Sequence, residues 1–397
     1  MVDTITFQQH WDRTDAFDPP ALFDALREEQ PAVRMTYPSG HLGWFVCNYE
    51  LTRQVLADPR FSHDIEIGHF PVTKNGEPIP VWPAVPGMFI HMDPPDHTKY
   101  RRMLTGEFTT RRMNQLAPKI QEFATSQLEL LKEQGPGADL VRHYVEPLVL
   151  RVITDLLGLS EEEYLKLAEY PDVIHNPEAD IDWADRVATE TFNMVPQFVA
   201  RKRDEPGDDI ITRLVQAGEL NDEELTSILM LLFVAGTVTT EGALAVSSFA
   251  LLHHTDQLER LRAEPALLDK GLEELLRYVT VNQYEIFRTA LEDVQLGDVL
   301  VRKGETVTVS LPAANRDPSV FPDPAKLDLG RDAAGHVAFG HGIHQCIGQN
   351  LARVLLKAGL RTLFEGLPGL RLAVPSSDIP LRTKTSIFNV RELPVTW

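Results

Sequence analysis

Phe339-Gly340-His341-Gly342-Ile343-His344-Gln345-Cys346-Ile347-Gly348 is the stretch that decides how this chain is read. It sets one of only two cysteines in a glycine-punctuated loop. Directly after it, Gln349 to Glu365 is amphipathic and stops at Gly366, which predicts a helix opening at the loop. Thiolate rather than thiol binds metal, and a helix N-terminus favours the anion. Gly342 and Gly348 would let backbone amides approach the sulfur, and such hydrogen bonds tune the potential of a bound iron. Residue chemistry alone leaves three readings open for Cys346: a buried inert cysteine, a catalytic nucleophile with His344 nearby, and an iron ligand.

The composition narrows the setting. A chain of 397 residues with an ordinary apolar fraction can bury a sizeable core, as one large domain or two. A net charge of −20 argues against nucleic acid or an anionic membrane as the main partner. Two cysteines, Cys47 and Cys346, are too few for a disulfide framework and point to a reducing cytoplasm. Met1 to Asp12 is polar, without the apolar core of a signal peptide.

Ser227 to Leu252 is almost wholly apolar, with Glu241 its only charge. Length and composition would let it cross a membrane. Gly236, Glu241 and the threonines at 237, 239 and 240 sit in its centre, however, a combination that lipid penalises and a site-lining helix uses. It therefore reads as a buried central helix, begun by the capping pattern Asn221-x-x-Glu224. Around it, Thr98 to His254 is mainly helical in pattern, and Leu267 to Val279 predicts another helix. Ala32 to Asn48 reads as a hairpin around Pro-Ser-Gly, and Val294 to Val309 as short strands. Short strands also fit Leu370 to Ala373 and Ser386 to Val390. Pro71 to Pro95 holds seven prolines and is no regular helix; it reads equally as a lid over a site and as a structural crossover. The expected fold is mainly α with small β-sheets, in a single domain over 1–397.

Several other residues can carry chemistry. Thr239 follows Gly236 in the central helix, where a threonine hydroxyl that takes over a backbone carbonyl can open a small polar notch. Glu274 and Arg277 share a helix face at three-residue spacing. His97 and Arg101, four apart after Asp93-Pro94-Pro95, join Arg288 and His344 as scattered donors that could meet an anionic cofactor.

Taken together, these residues resemble the cytochrome P-450 superfamily in its soluble bacterial form, over nearly the whole chain. Phe339, Gly342, Cys346 and Gly348 match its haem-ligand signature, and Glu274-Leu275-Leu276-Arg277 its Glu-x-x-Arg element. Arg331 stands where the family often completes a salt-bridge network with that pair. Asn315-Arg316-Asp317-Pro318 and Asp93-Pro94-Pro95 are similar to bacterial members. The resemblance implies the family's triangular helical prism around a buried haem b. It makes Cys346 the proximal ligand, with Phe339 and Gly348 in the cofactor-binding loop. His97, Arg101, Arg288 and His344 would hold the propionates. Ala235, Gly236 and Thr239 would line the oxygen pocket. Trp82 to Met88, with Phe233, Val234, Val238, Tyr284, Ile286, Ile387 and Phe388, would shape a substrate chamber.

One departure matters. Most members carry an acid just before the oxygen-pocket threonine, where it helps deliver protons; here that position is Val238. Glu241 is the nearest alternative acid. A weakened relay suits a substrate that supplies its own hydroxyl, indole N–H or ordered water, or chemistry that abstracts hydrogen without inserting oxygen. Some actinobacterial relatives altered here couple aromatic cyclodipeptides, and Leu300 to Glu305 and Glu392 to Val395 are similar to that group.

The resemblance therefore implies a cytoplasmic, monomeric oxidase of specialised metabolism, using O2 and two electrons from a ferredoxin and its reductase. The favoured substrate is an aromatic cyclodipeptide or another peptide-like molecule. Hydroxylation or epoxidation of a polyketide, terpene or steroid is the alternative; aromatic nitration is a rarer one. A non-catalytic haem-thiolate sensor or carrier is the alternative of a different class. Arg102, Arg111, Arg112, Arg353 and Lys357 form a candidate docking face for an acidic ferredoxin.

Overall fold

The computed structural model describes residues 4–6, 13, 15–175, 179–284, 286–383 and 385–397. Most of the polar stretch Met1 to Asp12 lies outside the described residues. A six-stranded sheet contains β1 (Ile5–Thr6), β2 (Ala32–Thr36), β3 (Leu42–Val46), β4 (Phe61–Ser62), β5 (Phe287–Ala290) and β6 (Thr306–Val309), in the order β1-β2-β3-β6-β5-β4. The β2–β3 hairpin is antiparallel, and β6 joins it parallel to β3. β5 then pairs antiparallel with both β6 and β4. Helix α1 (Tyr49–Ala57) packs against β6, and α2 (Asp96–Thr105) follows the 3₁₀ turn Phe89–His91.

The rest is a helical body. It holds α3 (Thr110–Gln134), α4 (Glu146–Leu157), α5 (Glu161–Leu167), α6 (Ile181–Asp204), α7 (Ile210–Ala217), α8 (Asp222–His253), α9 (Leu268–Val279) and α10 (Gln349–Gly366). At its centre is α8, the 32-residue helix of the apolar run, packed against α4, α6, α9 and α10. Each fully buried leucine, isoleucine or phenylalanine on it contributes on the order of 1.5–3 kcal/mol of transfer free energy. The helix starts where the capping pattern predicts. Asn221 Oδ1 accepts from the Glu224 amide at 2.9 Å, and Glu224 Oε2 accepts from the Asn221 amide at 2.8 Å. Glu224 also accepts from the Tyr100 hydroxyl at 2.8 Å and pairs with Lys99, fastening α8 to α2.

The proline-rich segment has local structure of its own: a two-strand hairpin, Thr73–Lys74 with Glu77–Pro78, and a 3₁₀ turn at Phe89–His91. Trp82 stacks on Phe70, centroids 5.3 Å apart, and Phe70 meets Phe287 of β5 edge-on at 5.2 Å. The segment closes against the start of α8 at Gly87. That residue has φ of +89°, and a Cβ there would stand 2.5 Å from the Glu224 carbonyl oxygen. Only glycine fits both requirements.

Candidate active site

The Cys346 loop is fixed from three sides. The Cys346 amide donates to the Phe339 carbonyl at 2.9 Å. Gly342 has φ of +74°, and a Cβ there would lie 2.2 Å from the Leu56 carbonyl oxygen at the end of α1. Arg353, on the second turn of α10, places its guanidinium 4.6 Å from the centroid of the Phe339 ring and binds Glu273 of α9. The sulfur receives the amides of Gly348 and Gln349 as α10 begins. The Cys346 side chain carries accessible surface although protein surrounds it.

Burial, not the helix end, dominates the thiol. It pushes Cys346 up from its ordinary value, while the two amides, Arg101 and Arg353 only partly offset the rise. A thiol so placed is a poor free nucleophile, and a bound metal ion is what would deprotonate it. His344 gives it no base. The His344 ring packs against His97 at 4.3 Å and His63 at 4.7 Å, and burial beside Arg288, His97 and Arg101 lowers its pKa to about 2. Cys346 thus has no hydrogen-bonded base at His344 among the described residues, which favours the iron-ligand reading.

The same cluster gathers the four predicted donors. His97 and Arg101 lie one turn apart on α2, Arg288 comes from β5, and His344 from the 3₁₀ turn before Cys346. Both ring nitrogens of His97 and Nε2 of His344 are buried without a hydrogen-bond partner among the described residues. Among the described residues, buried Arg288 donates only to its neighbour's carbonyl, Phe287 O at 2.7 Å; desolvation lowers its pKa to about 10, outweighing the opposing effect of Asp93. Arg101 donates to the Gln345 carbonyl. Buried cations and donors left without anions are costly. This group is built to receive carboxylates from a ligand.

The third wall is α8. It is buried almost throughout, but accessible surface reappears at Val234, Ala235, Gly236, Val238 and Thr239. The helix does not break there. The Thr239 hydroxyl donates to the Ala235 carbonyl at 2.5 Å and Thr237 to Phe233 O at 2.8 Å, within a continuous ladder. Gly236 serves packing as well, since a Cβ there would stand 2.9 Å from Ile153 Cδ1 of α4. A sulfur ligand, unpaired donors for two carboxylates and an apolar wall with one hydroxyl fit haem b.

The structure separates some residues that the sequence grouped. Glu241 lies about 200° around the helix from Thr239. Its charge is felt instead by Tyr164 of α5, whose pKa is raised by burial and then by Glu241. Phe233, Tyr284, Ile387 and Phe388 are buried, and Phe233 packs edge-on against Tyr164 at 5.4 Å. Ile286 is half-buried against the sheet core, Met88 against the helical core, and Trp82 is exposed on the proline-rich segment. Away from this site, Glu274 binds Arg277 at 2.7 Å and Arg331 at 3.0 Å. Sequence reasoning missed His63 and His91, whose rings lie 5.8 Å apart beside the same donor cluster. They follow no helical spacing, and only the β4–β5 pairing brings His63 to Arg288.

These features define a haem-thiolate protein. The chain belongs to the cytochrome P450 family: the family model "Cytochrome P450" matches residues 182–390, and full-length relatives agree. Cytochrome P450 105C1 of a Streptomyces species is 39% identical over 97% of both chains. Pentalenic acid synthase of Streptomyces avermitilis is 38% identical, over 97% of this chain and 96% of its own. The crystal structure of CYP105P1 in complex with filipin I superposes with a TM-score of 0.92 at 35% identity, covering 98% of both chains. The protein is accordingly a P450 enzyme that uses haem b, with the fold expected from its sequence.

Proposed function

We propose that this enzyme oxidises a small, largely apolar specialised metabolite held between the Trp82 segment and the accessible strip of α8. The observation that carries the reading is that strip: between the buried Phe233 and Thr240, the accessible residues of α8 are Val234, Ala235, Gly236, Val238 and Thr239, apolar apart from the threonine. Haem, held by Cys346 and the donor cluster, supplies oxygen activation with two electrons from outside. The protein's own residues do the rest. Val234, Ala235 and Val238 exclude water and present an apolar face to substrate, and the Thr239 hydroxyl is the one group there able to hold or pass a proton.

The aromatic stack of Trp82 and Phe70 supports an aromatic, peptide-like substrate such as a cyclodipeptide, undergoing coupling or hydroxylation. A second reading, hydroxylation or epoxidation of a polyketide, terpene or steroid, is compatible with similarity to proteins named pentalenic acid synthase and mycinamicin VIII C21 methyl hydroxylase. Both are tested by titrating candidate aromatic cyclodipeptides, terpenoid acids and polyketides while following the haem absorption band. Product mass then separates the chemistries: one added oxygen means insertion, loss of hydrogen means coupling. No spectral response to any cyclodipeptide would remove the first substrate class.

Bacterial members of the family generally take electrons from a ferredoxin and its reductase, and we infer the same here, in the cytoplasm. Exposed Arg102 and Arg111 are the best-placed cations for that contact. Arg353, Lys357 and Arg112 are already engaged by Glu273, Asp269 and Asp208.

A further inference from the structure

We infer that His63 is a haem-carboxylate ligand of this chain, anchoring the cofactor from the end of β4 beside the donors of α2, β5 and the cysteine loop. The register places it there: Phe61 pairs with Ala290 and Ser62 with Thr289, so the next residue, His63, comes alongside Arg288. The ring is buried, at 6% exposure, and its Nδ1 has no hydrogen-bond partner among the described residues. It stands edge-on to His344 at 4.7 Å and to Phe287 at 6.2 Å, so it is held by packing on two sides. Asp93 fixes the backbone beneath it. The His63 amide donates to Asp93 Oδ1 at 2.9 Å, and the neighbouring Ser62 hydroxyl donates to the other carboxylate oxygen.

An unpartnered, pre-positioned imidazole in such a place is costly unless a ligand satisfies it. The charges indicate how it is used. Buried Arg288 and half-buried Arg101 supply two cations, which two carboxylates would neutralise. The imidazole then needs only to donate as a neutral ring. Burial and the neighbouring Arg288 hold His63 well below its ordinary pKa, which is consistent with that form.

The test compares His63→Phe, which keeps the ring packing and removes the donor, with His63→Gln, which keeps a donor and loses the ring. Haem release from each purified holoprotein is followed by transfer to excess apomyoglobin, alongside the midpoint potential of the iron. A hydrogen bond to a charged group predicts release about 10- to 100-fold faster for His63→Phe, a shifted potential, and near-wild-type release for His63→Gln. A packing role predicts the reverse order. Wild-type release from His63→Phe would overturn the assignment. Should that variant not retain haem at all, His63→Gln decides alone: retention near wild type supports the ligand role, and release as fast as from a His63→Ala protein overturns it.

Discussion

Arg353 grips Glu273 at two points, Nε to Oε1 at 2.7 Å and Nη2 to Oε2 at 2.8 Å, and so ties the helix that follows Cys346 to α9. His336 adds a third contact to the same carboxylate at 3.0 Å. Burial alone would raise the pKa of Glu273, but Arg353 and His336 outweigh it and bring it from 4.5 to about 2. A carboxylate depressed in the folded state contributes stability that is complete above its unfolded value and lost as pH falls through the folded one. Glu273→Gln should therefore cost about 1–3 kcal/mol at neutral pH. The gap to wild type should narrow as pH drops from 4.5 towards 2. Thermal melts across that range check it; a gap that stays constant would mean the ion pair is not the source.

Glu274, the next residue, faces the opposite problem. It and Arg277 are wholly buried, and its Oε1 also accepts from Arg331 and from the Asp328 amide at 3.1 Å. Arg277 reaches on to the carbonyls of Asn315 at 2.8 Å and Pro324 at 2.9 Å, joining α9 to the loop that leads to the cysteine. Glu274→Gln leaves two guanidinium groups short of their counter-charge and is expected to cost about 3–5 kcal/mol. Denaturant titration, or the yield of haem-loaded protein, reads this directly.

Local signals explain what could be read in advance. The Asn221–Glu224 capping box, the Cys346 loop and the His97–Arg101 spacing each operate within a few residues. Non-local facts stayed hidden. The approach of His63 to Arg288 depends on β4 pairing with β5, more than two hundred residues away in sequence. Burial raises the Cys346 thiol although the loop alone suggests a lowered one. Glu241 looked close to Thr239 in sequence, but helical rotation directs it towards Tyr164. Arg353 read as a free docking charge until its partner on α9 appeared.

Lys202 and Asp209 form a second buried pair, 2.8 Å apart, where α6 turns into α7. Asp209 also caps α7 by accepting from the Thr212 amide at 2.8 Å. Gly158, with φ of +70°, closes over them; a Cβ there would stand 2.2 Å from Lys202 Nζ. Asp209→Ala should cost about 3–5 kcal/mol through the uncompensated lysine. Gly158→Ala should also destabilise, by collision and by its left-handed backbone. Chemical denaturation of both variants checks the pair, and a neutral Asp209→Ala would show that solvent reaches Lys202.

Cys346→His replaces the sulfur while leaving the donor cluster in place. The reduced carbon monoxide complex should lose its red-shifted absorption, and haem should still bind through His97, Arg101 and Arg288. Retention of the shifted band would remove Cys346 as the ligand. Loss of both the band and the haem would show that the donor cluster cannot hold the cofactor without the thiolate.

Thr239 stands without an acidic neighbour. Its hydroxyl proton is committed to the Ala235 carbonyl at 2.5 Å, which leaves the oxygen's lone pairs as its available function. Val238 beside it is apolar, and Glu241 points elsewhere. A proton reaching the site must therefore come through water or from the substrate, with Thr239 as the fixed acceptor on the wall. Thr239→Ala should leave substrate affinity nearly unchanged and lower product formed per NADPH consumed, by up to about 10²-fold, the low end of a general acid–base contribution. Val238→Asp should supply the missing carboxylate and reduce the solvent deuterium isotope effect on turnover. If Thr239→Ala couples electrons to product as well as wild type does, the hydroxyl plays no part in proton delivery and the substrate itself must bring the proton.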